Sequence, residues 1–234
     1  EKSAETRSTT IVEGVNYNSA LWNQGTPFND ECPLVNGGRS VTGCVATAMS
    51  IICYYNKWPL GGTGTAPEYS YSYNNLEVTI PEHKLSSSYN YGTMLHSYNY
   101  GYTSTQGAAV ASLMHDMGRA VRMQYSPEAS GAFSEEVAGV MSKYFGYSKG
   151  ATYNSRDSYS SIEWFELMRK NLDAYGPTYY SGSGSAGGHA FVIDGYATND
   201  YFSVNFGWGG VNNGYFLLPY IEQYVLFLLI DNNS

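Results

Sequence analysis

The chain has 234 residues, 43% hydrophobic and 14% charged, with a formal net charge of −8. That length and apolar content suit one large domain or two lobes on a shared core, and exclude wholesale disorder. Twelve Lys and Arg without a cluster leave no basic footprint for a nucleic-acid groove.

Residues 1–14 begin EKSAETRSTT, a polar run read as a flexible lead-in to a single domain over 15–234. It lacks the charged-then-apolar pattern of an export signal, so any signal or pro-segment is expected to have been removed. Loop chemistry fills 15–43, with WNQGTPFNDECP and NGGRS. From 44 to 57, CVATAMSIICYYNK carries no Gly or Pro and predicts a mostly buried helix, ended by Trp58-Pro59. Residues 61–108 are rich in Gly, Ser, Tyr and Asn and predict short strands or irregular loops.

Helical patterns follow at 108–121, at 134–146 with Ser134 as N-cap, and at 161–176, closing at Gly176-Pro177. Four apolar or alternating segments come next: PTYYSGS, GGHAFVIDGYATND, YFSVNFGWGG and NGYFLLPY. Gly and Asn turns divide them, and they predict an antiparallel sheet. YVLFLLI at 224–230 reads as a buried final strand, far short of the roughly 20 apolar residues of a membrane span. Helices first and sheet last make the fold class α+β, two lobes with a cleft between them.

Three cysteines, Cys32, Cys44 and Cys53, are too few for a disulfide scaffold and match no zinc spacing, so no metal or cofactor is expected. Cys44 and Cys53 stand nine residues apart and fall on opposite sides of one helix, at about 100° per residue. Cys53 reads as core packing. Cys44 follows Gly43 at the helix N-terminus, where free backbone N–H groups favour a thiolate and could hold an oxyanion. On this stretch alone, a packing role for Cys44 remains the better reading.

Of four histidines, His83 and His96 read as solvated loop residues, and His115 as a surface or core-edge helical residue. His189 stands between the turn SGSGSAGG and the strand AFVIDGY, which suits either a general base at a cleft edge or a core histidine bonded to a carbonyl. Asn205, sixteen residues on, could accept the imidazole N–H, with Trp208 shielding that bond. Gln24 in WNQG could complete an oxyanion hole.

The ordered set Gln24, Cys44, His189, Asn205, Trp208 resembles that of papain-like cysteine peptidases. TGCVATAMS with YYNKWP, YSPEASGAFSEEVAGVMSKYFGY, GPTYYSGSGSAGGHAFVIDGY and VNFGWGGVNNGYFLL resemble the streptopain family in particular, over roughly residues 15–230. The resemblance implies a papain-like fold with Cys44 on a helical lobe and His189 on a sheet lobe. It implies a secreted bacterial endopeptidase acting on protein or peptide substrates, made with an N-terminal propeptide as intramolecular inhibitor. Cys44 would be the nucleophile and His189 the base, then the acid. Gln24 would donate to the oxyanion beside the Cys44 N–H, and Asn205 and Trp208 would support the imidazole.

Ser183, Gly187 and Gly188 would border the substrate pocket. Two positions depart from the family pattern: Phe206 replaces the first Trp of N-W-G-W-G, and Ser183 stands near a usually apolar position.

Other functions fit less well. Gly182, Gly184 and Gly187 spell G-x-G-x-x-G, but a strand follows where a dinucleotide site needs a helix. No G-x-S-x-G is present in that turn. A Cys-His acyltransferase shares the chemistry as far as the acyl-enzyme, and an adhesion protein on a degraded peptidase fold would suit the Tyr-rich loops at 67–102.

Overall fold

The computed structural model describes residues 7–8, 14–184, 187–217 and 224–228. Two short strands come first, β1 (Arg7–Ser8) and β2 (Gly14–Asn16), then the small hairpin of β3 (Leu34–Val35) and β4 (Gly38–Arg39). Helix α1 (Cys44–Asn56) follows. A second run of short strands comprises β5 (Thr65–Ala66), β6 (Tyr69–Tyr73), β7 (Leu76–Ile80) and β8 (His83–Lys84). Asn74 and Asn75, both at positive φ, form the two-residue turn between β6 and β7, a geometry Asn tolerates. Helices α2 (Ser104–Ala120), α3 (Val137–Phe145) and α4 (Ser161–Tyr175) complete the helical part.

The remaining strands are β9 (Thr152–Ser155), β10 (Thr178–Gly184), β11 (Gly187–Ala197), β12 (Phe202–Asn205), β13 (Gly214–Phe216) and β14 (Tyr224–Leu228). With β1 and β2 they form one antiparallel sheet in the order β1-β13-β12-β11-β10-β14-β9, β2 pairing with β11. The final segment is thus a strand, as expected; its burial lies outside the described side chains. The lead-in differs from expectation at Arg7–Ser8, which pair with Phe216 and Tyr215 of β13.

Local chemistry explains where the helices begin. α2 starts four residues before its apolar pattern, because Thr103 and Gln106 close a capping box there. Ser160 and Glu163 do the same for α4. Ser134 is not the N-cap expected of it. Residues Ser134–Glu136 form a 3-10 turn ahead of α3, and the Ser134 hydroxyl bonds Tyr179 Oη at 2.8 Å.

Two apolar clusters hold the molecule. The larger surrounds α1, whose residues Val45–Cys53 are all buried, and takes in α2, α3 and one face of the sheet. The smaller packs Trp164, Met168 and Leu172 of α4 against Tyr180, Phe191, Ile193, Phe202 and Val204 on the opposite face. Strand β11 serves both: Ala190 and Val192 belong to the first cluster, Phe191 and Ile193 to the second. Cys53 is fully buried in the first cluster, the packing role read for it. No helix among the described residues is long and apolar enough to cross a membrane.

Candidate active site

Cys44 opens α1, and the three residues before it are clamped from two sides. Thr42 N–H donates to the Gln24 carbonyl at 3.0 Å, and Val41 N–H to the Ser126 carbonyl at 3.1 Å. Ser130 Oγ donates back to the Val41 carbonyl at 2.7 Å. Gly43 turns the chain at φ +84°, and a Cβ there would lie 2.7 Å from Met123 Sδ and 2.9 Å from the Ser130 carbonyl. Only glycine fits such a turn, so the thiol is delivered at one defined place.

His189 comes from β11, opposite Gly182 of β10. Because side chains alternate along a strand, its ring lies on the face of Phe191, and Ala190 faces α1. The imidazole Nε2 bonds the Phe206 carbonyl at 2.9 Å. Trp208 lies against the ring, with centroids 4.7 Å apart and planes tilted by 32°, and Phe206 stacks on Trp208 at 5.1 Å. A carbonyl can only accept, so Nε2 carries the proton and Nδ1 of the neutral ring is the basic nitrogen.

Asn205 has a different task from the one its position suggested. It is buried, donating from Nδ2 to Ser19 Oγ (2.8 Å) and the Ala20 carbonyl (2.9 Å) and accepting at Oδ1 from Gly207 N–H (3.1 Å). Its amide is therefore committed to the backbone around the ring, and the next residue's carbonyl takes the imidazole proton. That also answers the Phe206 departure: residue 206 bonds His189 through its main chain, whatever its side chain.

Cys44 and His189 line one cleft of about 520 Å³. Residues 181–183 and 188–190 form one side, so Ser183 and Gly188 border it; Gly187 is not among the lining residues. Residues 129–135 and Tyr153 of β9 also line it; 129–135 fall within the stretch YSPEASGAFSEEVAGVMSKYFGY that resembles the family, but the sequence reading gave them no part in the cleft. Phe133 there is 67% exposed. Gln24 is half-buried and tied by its backbone to the Cys44 approach, while its side chain is not part of the lining. Gly182, Gly184 and Gly187 belong to the β10–β11 hairpin, and the element that follows the turn is strand β11.

Burial pushes the Cys44 thiol above its ordinary value of 9.0, against the pull of the backbone N–H groups of Ala190, Val45 and Cys44 itself. The helix N-terminus thus supplies the expected donors, but desolvation outweighs them. Burial also lowers the His189 imidazole below its ordinary 6.5, opposed by the bond to Phe206. Desolvation thus acts on both groups in the direction of their uncharged forms. Both residues remain only half-buried and open to the cleft, as a reacting pair requires.

Residues 22–216 match the sequence profile of the peptidase C10 family. The chain belongs to the peptidase C10 family. It is 37% identical over 201 residues to the thiol protease/hemagglutinin PrtT of Porphyromonas gingivalis, covering 85% of this chain and 23% of that protein. It is 32% identical over 239 residues to streptopain of Streptococcus pyogenes, covering 95% of this chain and 59% of that one. Against both, the chain spans less than two thirds of the relative's length.

The active cysteine protease interpain A of Prevotella intermedia superposes with a TM-score of 0.78 at 31% identity, over 94% of this chain and 95% of that one. A prointerpain A fragment gives the same TM-score at 32% identity, over 94% and 72% of the two chains. These likenesses bear out the streptopain family resemblance and the mix of helices with an antiparallel sheet.

Cys32 and Cys53, by contrast, are buried free thiols pushed up to about 12 by desolvation, and neither lines the cleft. His83 is not the solvated residue its loop suggested; its Nε2 lies 2.7 Å from Asp116 Oδ1.

Proposed function

We propose that this chain is a papain-like cysteine endopeptidase, made as a precursor and secreted by a bacterium, that cleaves peptide bonds through an acyl-enzyme on Cys44. The observation that carries the reading is a half-buried thiol at the N-terminus of α1, sharing a cleft with an imidazole whose Nε2 is committed to a carbonyl. Helices gathered around α1 on one side of that cleft, and the sheet carrying His189 on the other, support the papain-like assignment. The prointerpain fragment supports an N-terminal propeptide acting as an intramolecular inhibitor.

In the proposed cycle, His189 Nδ1 takes the Cys44 proton as sulfur attacks the peptide carbonyl carbon. The oxyanion that forms accepts from the Cys44 backbone N–H and the Gln24 side-chain amide, a role the Thr42–Gln24 tether supports. Collapse breaks the C–N bond, and the imidazolium gives its proton to the leaving amine. Water, deprotonated by the same Nδ1, then attacks the thioester and frees the thiol. Asn205 holds the backbone around Phe206, and Trp208 keeps water from the imidazole bond. Ser183 and Gly188, which border the cleft, flank the substrate strand.

The test pairs reactivity with turnover. A thiol-directed epoxide should label the wild type and leave Cys44→Ala unlabelled, and Cys44→Ala should cleave no peptide. Turnover that survives in Cys44→Ala would sink the proposal. Gln24→Ala should cost about 10²–10³ in kcat; unchanged turnover would remove Gln24 from the oxyanion site. Product analysis with an added amine separates hydrolysis from acyl transfer.

A further inference from the structure

α2 carries His115 and Asp116 side by side, and β8 brings His83 against them. His83 Nε2 lies 2.7 Å from Asp116 Oδ1, and the two imidazole rings are 4.5 Å apart. One ligand atom from each of the three residues falls within 4.8 Å of the others. A fourth donor stands beside them: Glu31 Oε2 is 3.7 Å from His115 Nδ1. None of the four lines the cleft of Cys44 and His189.

We propose that His83, His115 and Asp116, completed by Glu31, bind a divalent transition-metal ion of the zinc type. Imidazole and carboxylate donors in this number are what such an ion takes, at about 2.0–2.2 Å each. A four-coordinate ion at those lengths spaces its ligand atoms by ~3.4 Å, so the His83–Asp116 pair at 2.7 Å opens slightly, and the other pairs of the three, none beyond 4.8 Å, adjust toward that spacing to hold one.

The surroundings suit a ligand set better than a plain ion pair. Asp116 is buried, and its other oxygen, Oδ2, accepts from Ser86 N–H and from Tyr89 Oη, each at 2.7 Å. Those bonds aim Oδ1 at His83, as outer hydrogen bonds orient a metal-binding carboxylate. A simple His83–Asp116 pair would have no use for a second imidazole against the first. Arg119, a cation close enough to act on His115, has its guanidinium engaged by the Pro81 carbonyl. The His83 and His115 side chains are 26% and 16% exposed and Glu31 45%, so an ion has a way in. Once bound, it would tie the turn at Glu31 and strand β8 to helix α2.

The Cys44→Ala chain is the one to test, because the active-site thiol would itself take such metals. Stripped with a chelator and titrated with Co²⁺ or Zn²⁺, it should bind one equivalent, give the visible absorption of low-symmetry Co²⁺, and melt at a higher temperature. His83→Ala and His115→Ala, each added to Cys44→Ala, should abolish that equivalent. Tyr89→Phe should weaken it by about 10–100-fold. Circular dichroism identifies a variant that has not folded, and the exposed Glu31→Gln, which leaves the buried contacts intact, should then still weaken binding. No saturable binding by the Cys44→Ala chain would overturn the proposal, as would binding undiminished in the folded histidine variants.

Discussion

The bond from His189 Nε2 to the Phe206 carbonyl fixes a protonation pattern as well as a ring orientation. It leaves one proton to be shared between Nδ1 and the Cys44 sulfur, and catalysis needs that proton present once. Activity is lost as pH falls through the imidazole's value, when both groups are protonated, and again as pH rises through the thiol's value, when neither is. Burial lowers the first from 6.5 and raises the second from 9.0. The kcat/KM profile should therefore be a broad plateau, with its acid limb below pH 6.5 and its alkaline limb above pH 9, both belonging to the coupled pair. An acid limb above 6.5, measured with a neutral peptide substrate, would contradict the desolvated imidazole. Asn205 acts at the same scale but through stability. Asn205→Ala deletes one partner from each of three buried hydrogen bonds and should cost about 1–3 kcal/mol in denaturant unfolding, because buried groups are left unpaired. An unchanged unfolding midpoint would show those bonds to be dispensable.

Among the elements, α1 matters most, and the glycine before it sets its start. Gly43→Ala should destabilise the fold by about 1–3 kcal/mol, through its positive φ and the push on Met123 and Ser130. It should also lower turnover by displacing the thiol; equal stability by chemical unfolding would refute the close approach. Much of this element was legible in the sequence, because an unbroken apolar run after a glycine leaves few alternatives to a buried helix. The start of α2 was not, since the Thr103–Gln106 box precedes the apolar pattern. The Ser134 turn was misread for a different reason: its hydroxyl partner, Tyr179, is distant along the chain, and local pattern carries no trace of it. The same limit applies to the site. Cys44 and His189 stand in distinctive settings, whereas the Asn205 amide and the 129–135 wall take their roles from contacts across the fold.

At the scale of the whole molecule, two apolar clusters meet at the sheet. Trp164→Ala empties a fully buried site in the smaller one, beside Tyr159 and Tyr180, and should cost about 3–5 kcal/mol. Although the lesion lies in one cluster, the protein should still unfold in a single transition, followed at once by tryptophan fluorescence and far-ultraviolet dichroism. Two separated transitions would mean that the clusters stand independently. The reason to expect one lies in β10 and β11. Tyr179, Ala190 and Val192 pack on one side of these strands, and Tyr180, Phe191 and Ile193 on the other. Each strand is thus the inner lining of both halves, so neither half is a transferable module. A hybrid made by joining the helical half of one relative to the sheet half of another would inherit mismatched faces along the very strand that carries His189. Exchange with a relative should therefore be tolerated in loops and walls, such as residues 129–135, but not where it parts β11 from β10, β12 and β2.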